Sequence, residues 1–300
     1  METRSLTTPS TDRAPGAFRT PKSLDAAVLD VSEISTLPQV ALQVMAVVRN
    51  PNTGAADLIK VVEGDPALSA RVLRLVNSAA YGLRSKVNNL HQAITYAGFY
   101  QVRNLAITAS VARVFRDHEA FGAYKRSMLW QHMISVGVCA RLVARRCRLP
   151  DFEDAFLAGL LHDVGIILLD QHLHDAFAAV INDLTEEKTL VEIEREHLGF
   201  DHTQFGERVA TKWGFPSRVR AAIRYHHQSL TYQDDGAEIV RCVEIANLLC
   251  TLKNITSVGR KLVTASAELF QSLSFQKHDV VVLAADMDRE LAQNESLFKL

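Results

Sequence analysis

Asp163 is the residue that most needs a chemical explanation. It lies beside His162 within Phe156 to Leu169, a stretch otherwise apolar on nearly every side. An ionised carboxylate there costs several kcal/mol unless a cation or strong donors compensate it. The partners on offer are histidines that fall on successive helical stretches: His132, His202, and the adjacent pair His226 and His227. Neutral imidazoles plus one carboxylate suit a divalent transition metal such as iron, manganese or zinc, and the cation satisfies the buried charge. A hydrogen-bonded polar core is the alternative. Taken singly, each of these histidines is more often an ordinary core or surface residue, and it is the combination with Asp163 that points to a metal. His91, His118, His172, His174, His197 and His278 fall outside the pattern.

The elements that must position these groups are helical. Apolar residues recur at spacings of three and four from about residue 24 onward, and no alternating runs bounded by hairpin turns occur, so the chain reads as all-α. Asp65 before Pro66 opens a helix that Gly82 ends; Leu90 to Ala97 is closed by Gly98; Val102 to Val114 forms another. The pattern breaks from His118 to Tyr124, which places a boundary between an N-terminal helical subdomain at 24–125 and a second one at 126–300. Residues 1–23, with Pro9, Pro15 and Pro21, read as a flexible tail.

In the second subdomain, Ser127 to Arg146 carries Met128, His132, Val136, Cys139 and Val143 on one inward stripe. Phe156 to Leu169 reads as a single central helix holding His162 and Asp163. Asp201 is an N-cap with Gln204 at the third helical position, and Phe200 is set to pack on Phe205 as a hydrophobic staple, which puts His202 in the first turn. Trp213, Gly214 and Pro216 stop that helix and start one running to His226 and His227. A later helix has Ile239, Val240, Val243, Ala246, Asn247 and Cys250 on its buried stripe. Together these predict a compact bundle of two packed subdomains.

Composition removes whole classes of function. The 300 residues are 48% hydrophobic, too apolar for a disordered chain, and 33 basic against 34 acidic residues leave a net charge of -1. That balance gives no excess for neutralising phosphates, and nucleic acid is an unlikely partner. Arg141, Arg145 and Arg148 share one helical face, more often a solvated surface than an anion site. No apolar run reaches the roughly 18 residues that span a bilayer, and the N-terminus lacks the apolar stretch of a secretory signal. Cys139, Cys147, Cys242 and Cys250 show no C-x-x-C spacing and read as small buried hydrophobes in a reducing cytosol, which predicts a cytoplasmic protein.

Two segments carry a family resemblance. AFLAGLLHDVG, with the helix-borne His132 upstream, resembles the His, His-Asp signature of the HD superfamily of metal-dependent phosphohydrolases. DPALSARVLRLVNSAAYG, followed by the helix ending at Gly98 and by VRNLAI, closely resembles the HDOD family, the HD-related output domain of bacterial signalling proteins, and the similarity covers roughly residues 30 to 250. The resemblance makes the second subdomain HD-like and places the superfamily's ligands on His132, His162 and Asp163. His202, His226 and His227 match further metal ligands of the related HD-GYP phosphodiesterases. Asn247 stands where catalytic members close the site with Asp, a neutral amide that coordinates more weakly. Ile166 replaces the Lys of HD-GYP enzymes, and Gln228, Ser229, Leu230 replace their Gly-Tyr-Pro.

These departures favour one metal over two and remove a phosphate contact. The resemblance therefore implies a regulatory, non-catalytic signalling module that acts on other signalling proteins and keeps a degenerate metal site. The alternative is a metal-dependent phosphohydrolase, a phosphodiesterase or phosphomonoesterase, using the same ligands. Nucleic-acid binding through Arg141, Arg145, Arg146 and Arg148 ranks below both.

Overall fold

The computed structural model describes residues 23–33, 38–50, 52–78, 82–115, 120–259 and 266–299. The predicted tail before Ser23 lies outside these residues, as do Ala79 and His118. Helices dominate throughout. The first half contains α1 (Leu24–Glu33), α2 (Gln39–Arg49), α3 (Ala55–Glu63), α4 (Pro66–Val76), α5 (Leu90–Ala97) and α6 (Phe99–Val111). The Asp65 side chain accepts from Leu68 N at 3.0 Å, the cap its sequence predicts, and Gly98 takes φ 93° between α5 and α6. Helix α4 stops at Val76, before Gly82. There the Asn77 side chain donates to the Leu73 and Val87 carbonyls and accepts from Val87 N, each at 2.8 Å, turning the chain early.

At the predicted boundary sits the one sheet among the described residues, a two-residue hairpin of β1 (Ala120–Phe121) and β2 (Tyr124–Lys125). Beyond it run α7 (Arg126–Arg146), α8 (Phe152–Leu161), α9 (Val164–His172), α10 (His174–Asn182), α11 (Leu190–Leu198), α12 (His202–Lys212) and α13 (Ser217–Tyr225). They are followed by α14 (Ala237–Leu252), α15 (Ala267–Ser272), α16 (Lys277–Gln293) and α17 (Glu295–Phe298). One apolar core runs through both halves, from Ala27 and Leu58 to Leu160, Phe205 and Leu297. A second cluster joins α7, α8, α14 and α16 through Val136, Ala140, Ala158, Ala246 and Leu283. Helices α7 and α8 cross where Gly137 meets Gly159: a Cβ on Gly159 would stand 2.9 Å from the Gly137 Cα, so only glycine allows that approach.

The halves are also joined by a polar seam. Arg103, 1% exposed, pairs with Asp154 at 3.0 Å, and the Asn104 amide donates at 2.8 Å to both the carbonyl and a carboxylate oxygen of Glu153. On the arginine face, Arg145 and Arg148 are exposed as expected and Arg141 is not. Arg141 is buried between Glu153 at 3.8 Å and Glu290 at 3.9 Å, Arg145 lies over the Phe152 ring and Arg146 pairs with Asp286, so the fold itself uses these charges.

The expected central helix is in fact two. Helix α8 ends at Leu161, His162 and Asp163 form a turn, and α9 begins at Val164 with Asp163 as N-cap. The Asp163 carbonyl accepts from Ile166 N at 2.9 Å, and its carboxylate makes no cap bond, which frees it for other partners. Gly165 explains the tight fit on α12: a Cβ there would fall 2.0 Å from the His202 carbonyl oxygen.

Candidate metal centre

Four elements deliver the functional side chains to one interior point. His132 comes from the inward stripe of α7, His162 and Asp163 from the turn between α8 and α9, and His202 from the first position of α12. His226 and His227 come from the turn after α13, which ends at Tyr225 and not at the histidines. The cap that fixes His202 is the predicted one: Asp201 accepts from Gln204 N at 2.9 Å, Gln204 returns the bond at 3.2 Å, and the Phe200 and Phe205 rings pack at 5.7 Å.

The six side chains form two overlapping sets. One carboxylate oxygen of Asp163 lies 3.2 Å from His162 Nε2 and 3.5 Å from His132 Nε2. Its other oxygen, Oδ1, lies 3.3 Å from His226 Nε2 and 3.5 Å from His202 Nε2, and His227 Nε2 completes this set at 3.3 Å from His202 Nε2. Each set places its ligand atoms within 4.8 Å of one another, as a metal ion requires, and Asp163 is common to both. All but His227 are buried.

The far side of three rings fixes the tautomer. Nδ1 of His132 meets the Ile255 carbonyl at 2.8 Å, Nδ1 of His162 the Gly159 carbonyl at 2.7 Å, and Nδ1 of His226 the Ala222 and Ile223 carbonyls at 3.1 Å. A carbonyl only accepts, so these nitrogens carry the proton and each Nε2 presents a lone pair. His132 and His162 thus oppose two lone pairs at 3.3 Å. Oδ1 of Asp163, buried and without a hydrogen-bond donor, looks into the other set. Converging lone pairs around an anionic oxygen repel one another unless a cation sits among them. The residues therefore fit a divalent metal, by donor chemistry and by the orphaned oxygen alike.

Electrostatics agrees for His132 and His226. Burial pushes His132 and His226 down to about 4, so both are neutral ligands at pH 7. Burial also works against the charged forms of Asp163 and His202, but neighbours prevail. In the cation-free protein, positive charge and hydrogen bonds from His162 and His226 hold the Asp163 carboxyl well below its ordinary range and Glu194 raises His202 to about 9, so protons supply there the positive charge that a bound cation would replace. Glu194 is the site residue that sequence reading missed. It is 0% exposed, and one oxygen accepts from His202 Nδ1 at 2.7 Å and from His202 N at 2.9 Å. Its signal was present: Leu190, Ile193, Glu194 and Leu198 form one buried stripe of α11, with a carboxylate where an apolar residue belongs.

Beside the second set opens a cavity of about 280 Å³ lined by His226, His227, Asn247, Arg224, Thr203 and Glu244 among others. Asn247 is 5% exposed and takes its place in this wall. Arg224 donates to Thr203 at 3.0 Å, which holds its guanidinium beside the cavity.

A family model described as the HDOD domain matches residues 34–229. The chain belongs to the HDOD family. The HDOD fold is shared by the crystal structure of an HDOD domain protein with unknown function from Geobacter sulfurreducens. That likeness has a TM-score of 0.74 and 24% identity, and covers 91% of this chain and 96% of that one. A protein from Marinobacter aquaeolei VT8, provisionally described as a signal transduction protein, matches with a TM-score of 0.73 and 25% identity, over 91% of this chain and 63% of its own. An uncharacterized protein of Treponema pallidum (strain Nichols) is 25% identical over 232 residues, 75% of this chain; the match spans 44% of that relative's length. No helix among the described residues is long and apolar enough to cross a membrane.

Proposed function

We propose that this HDOD protein is a cytoplasmic, non-catalytic signalling module that acts through other regulatory proteins and is braced by a divalent transition metal. The metal is held by His132, His162, Asp163, His202, His226 and His227, with Asn247 as a weak neutral donor at the cavity wall. The observation that carries the reading is the set of Nε2 lone pairs converging on the unpartnered Oδ1 of Asp163. A bound ion supplies concentrated positive charge and Lewis acidity. The chain's own residues do the rest. The Ile255, Gly159 and Ala222 carbonyls keep three imidazoles in the ligating tautomer, and Glu194 orients His202 and strengthens it as a donor. Asn247 in place of a closing carboxylate and Ile166 in place of a Lys support binding without turnover.

A second reading, a metal-dependent phosphohydrolase, is favoured by one observation: the cavity next to His226 and His227 is flanked by Arg224 and Thr203, donors suited to phosphoryl oxygens. One experiment separates the two. The chain, purified without a histidine tag, is analysed for metal content and assayed against phosphodiester and phosphomonoester substrates with added manganese or iron. Bound metal at one or two ions per chain with no turnover is the expected result. Hydrolysis that Asp163→Ala abolishes would establish the enzyme reading, and a metal-free chain that takes up none of these ions would refute the metal site.

A further inference from the structure

Charges of both signs line the cavity beside the second histidine set: Arg195 and Arg224, Glu192 and Glu244. Two of the four are already engaged. Arg195 donates to Asp201 from Nε at 2.8 Å and from Nη2 at 2.6 Å, and Glu192 closes the capping box of α11 by accepting from Thr189 N at 2.7 Å. The other two have no oppositely charged partner among the described residues. Arg224 is half-buried; it donates to Thr203 at 3.0 Å and lies over the Tyr225 ring at 5.3 Å, and the rest of its N–H groups have no acceptor among those residues. Glu244, also half-buried, accepts there only from Ser229 N, at 2.7 Å. Although they share one cavity, Arg224 and Glu244 do not pair with each other.

A charge partly withdrawn from water and left unpaired costs free energy, and here two of opposite sign line the same space of about 280 Å³. A plain anion held by Arg224 would meet Glu244, and a plain cation held by Glu244 would meet Arg224. Only a ligand that carries both signs suits both walls. A nucleoside monophosphate, with about two negative charges and no cation, matches one of them. The remaining wall is neutral. Leu190, Leu248 and Leu269 give it a buried apolar face, and Asn247, 5% exposed, contributes an amide that makes no hydrogen bond among the described residues. The volume lies below the usual range for drug-sized ligands, so the ligand is small.

We propose that this cavity binds a small zwitterion, an α-amino acid with an aliphatic side chain: its carboxylate on Arg224, its ammonium on Glu244, and its side chain against Leu190, Leu248 and Leu269. The inference goes beyond the signalling reading by giving the module a small-molecule input, and it does not depend on an ion at the histidine centre. The planar fork of a guanidinium matches a carboxylate, and an ammonium offers three donors to a carboxylate and a neighbouring amide oxygen. The two charged groups of an α-amino acid share one carbon, which suits walls this close together. Bound there, the ligand touches α11, α13, α14 and α15 at once, so occupancy ties together helices that each contribute one wall.

The test titrates the full chain, stripped of metal, with each standard amino acid by calorimetry and follows its thermal unfolding. Binding to the stripped chain stands even where the histidines take up no ion, so the two readings fail separately. At least one of valine, leucine, isoleucine and methionine is expected to bind with Kd below about 1 mM and to raise the unfolding midpoint. Arg224→Gln and Glu244→Gln should each weaken that binding by about tenfold or more. The wild-type chain tests the same point without a variant: the amine and the carboxylic acid built on the same carbon skeleton, each with one charge, should bind about tenfold more weakly than the amino acid. A single-charge analogue that binds as tightly as its parent, or an affinity that both variants leave unchanged, would overturn the proposal. So would the absence of any amino acid binding below about 1 mM, binding confined to polar or charged amino acids, or preference for AMP or inorganic phosphate over every amino acid.

Discussion

Glu194→Gln is the substitution that most directly questions the centre. Glutamine keeps an oxygen to accept from His202 Nδ1 and His202 N, now at 2.7 and 2.9 Å, and removes only the charge. In the cation-free protein, burial alone would lower His202, yet Glu194 raises it from 6.5 to about 9. At 1.36 kcal/mol per pH unit, this is about 3 kcal/mol of preference for the imidazolium, with no discount for screening because both groups are fully buried. The sign follows from the direction of the shift. A raised histidine contributes stability that is complete below its ordinary value of 6.5 and lost as pH rises through about 9. Metal-stripped wild-type protein should therefore weaken between pH 6.5 and 9 by up to about 3 kcal/mol, and the Gln variant should show a flatter profile there.

With a cation bound, the same charge acts the other way round, strengthening His202 as a ligand, so its removal should weaken metal binding by about 10- to 100-fold. Urea unfolding of the stripped proteins across that pH range and metal titration against a competing chelator at pH 7.5 measure the two effects. If the variant binds metal within about twofold of wild type and unfolds with the same pH slope, Glu194 is a packing residue and the charge argument fails.

Other perturbations separate the remaining parts of the argument. Gly165→Ala places a Cβ 2.0 Å from the His202 carbonyl oxygen, backbone against backbone, and should cost about 1–3 kcal/mol in urea unfolding while weakening metal binding; a neutral effect would show that α9 and α12 separate freely. Asn247→Asp supplies the closing carboxylate and should bind metal more tightly than wild type, by titration. His132 and His226 lie near 4 when folded, so their share of stripped-protein stability is present above pH 6.5 and lost as pH falls toward 4; urea midpoints unchanged between pH 7 and 4.5 would contradict this. Metal loading should slow amide hydrogen exchange at α6 as well as at α9, and slowing confined to α9 would show that the centre is uncoupled from the first half.

The cluster was legible because its members are side chains of unusual type in regular places: a carboxylate in an apolar stretch, a histidine on an inward stripe, a histidine behind a capping box. What could not be read is set by the third dimension. Apart from His162 and Asp163 themselves the run from Phe156 to Leu169 is apolar throughout, so nothing in its pattern marks the turn at those two residues. The break follows from how closely α9 must approach α12, which Gly165 alone records. Nothing in the sequence marks Ile255, whose carbonyl fixes the His132 tautomer from 123 positions away. Arg141 looked like a surface residue because helical spacing gives a face but not its neighbour, and α16 supplies the Glu290 that covers it. Glu194 was readable in principle, since the rule that singled out Asp163 applies equally to a glutamate on the stripe of α11.

One element joins the centre to the rest of the molecule. At its N-terminal end α8 carries Glu153 and Asp154, which hold Asn104 and Arg103 of the first half; past its C-terminal end come His162 and Asp163. Its 10 residues make a rigid rod of about 15 Å, locked against α7 at the Gly137 and Gly159 crossing. A cation that fixes His162 and Asp163 therefore fixes the end of a rod whose other end is hydrogen-bonded into the first half, with no flexible linker between. On the proposed reading, occupancy would change how firmly two halves that share one core and this rod are held together, which suits a module read by other proteins better than one that must exchange substrate and product. The missing carboxylate at Asn247 is consistent with this division of labour: ligands on the rod side are all present, and the weak position lies on the cavity side.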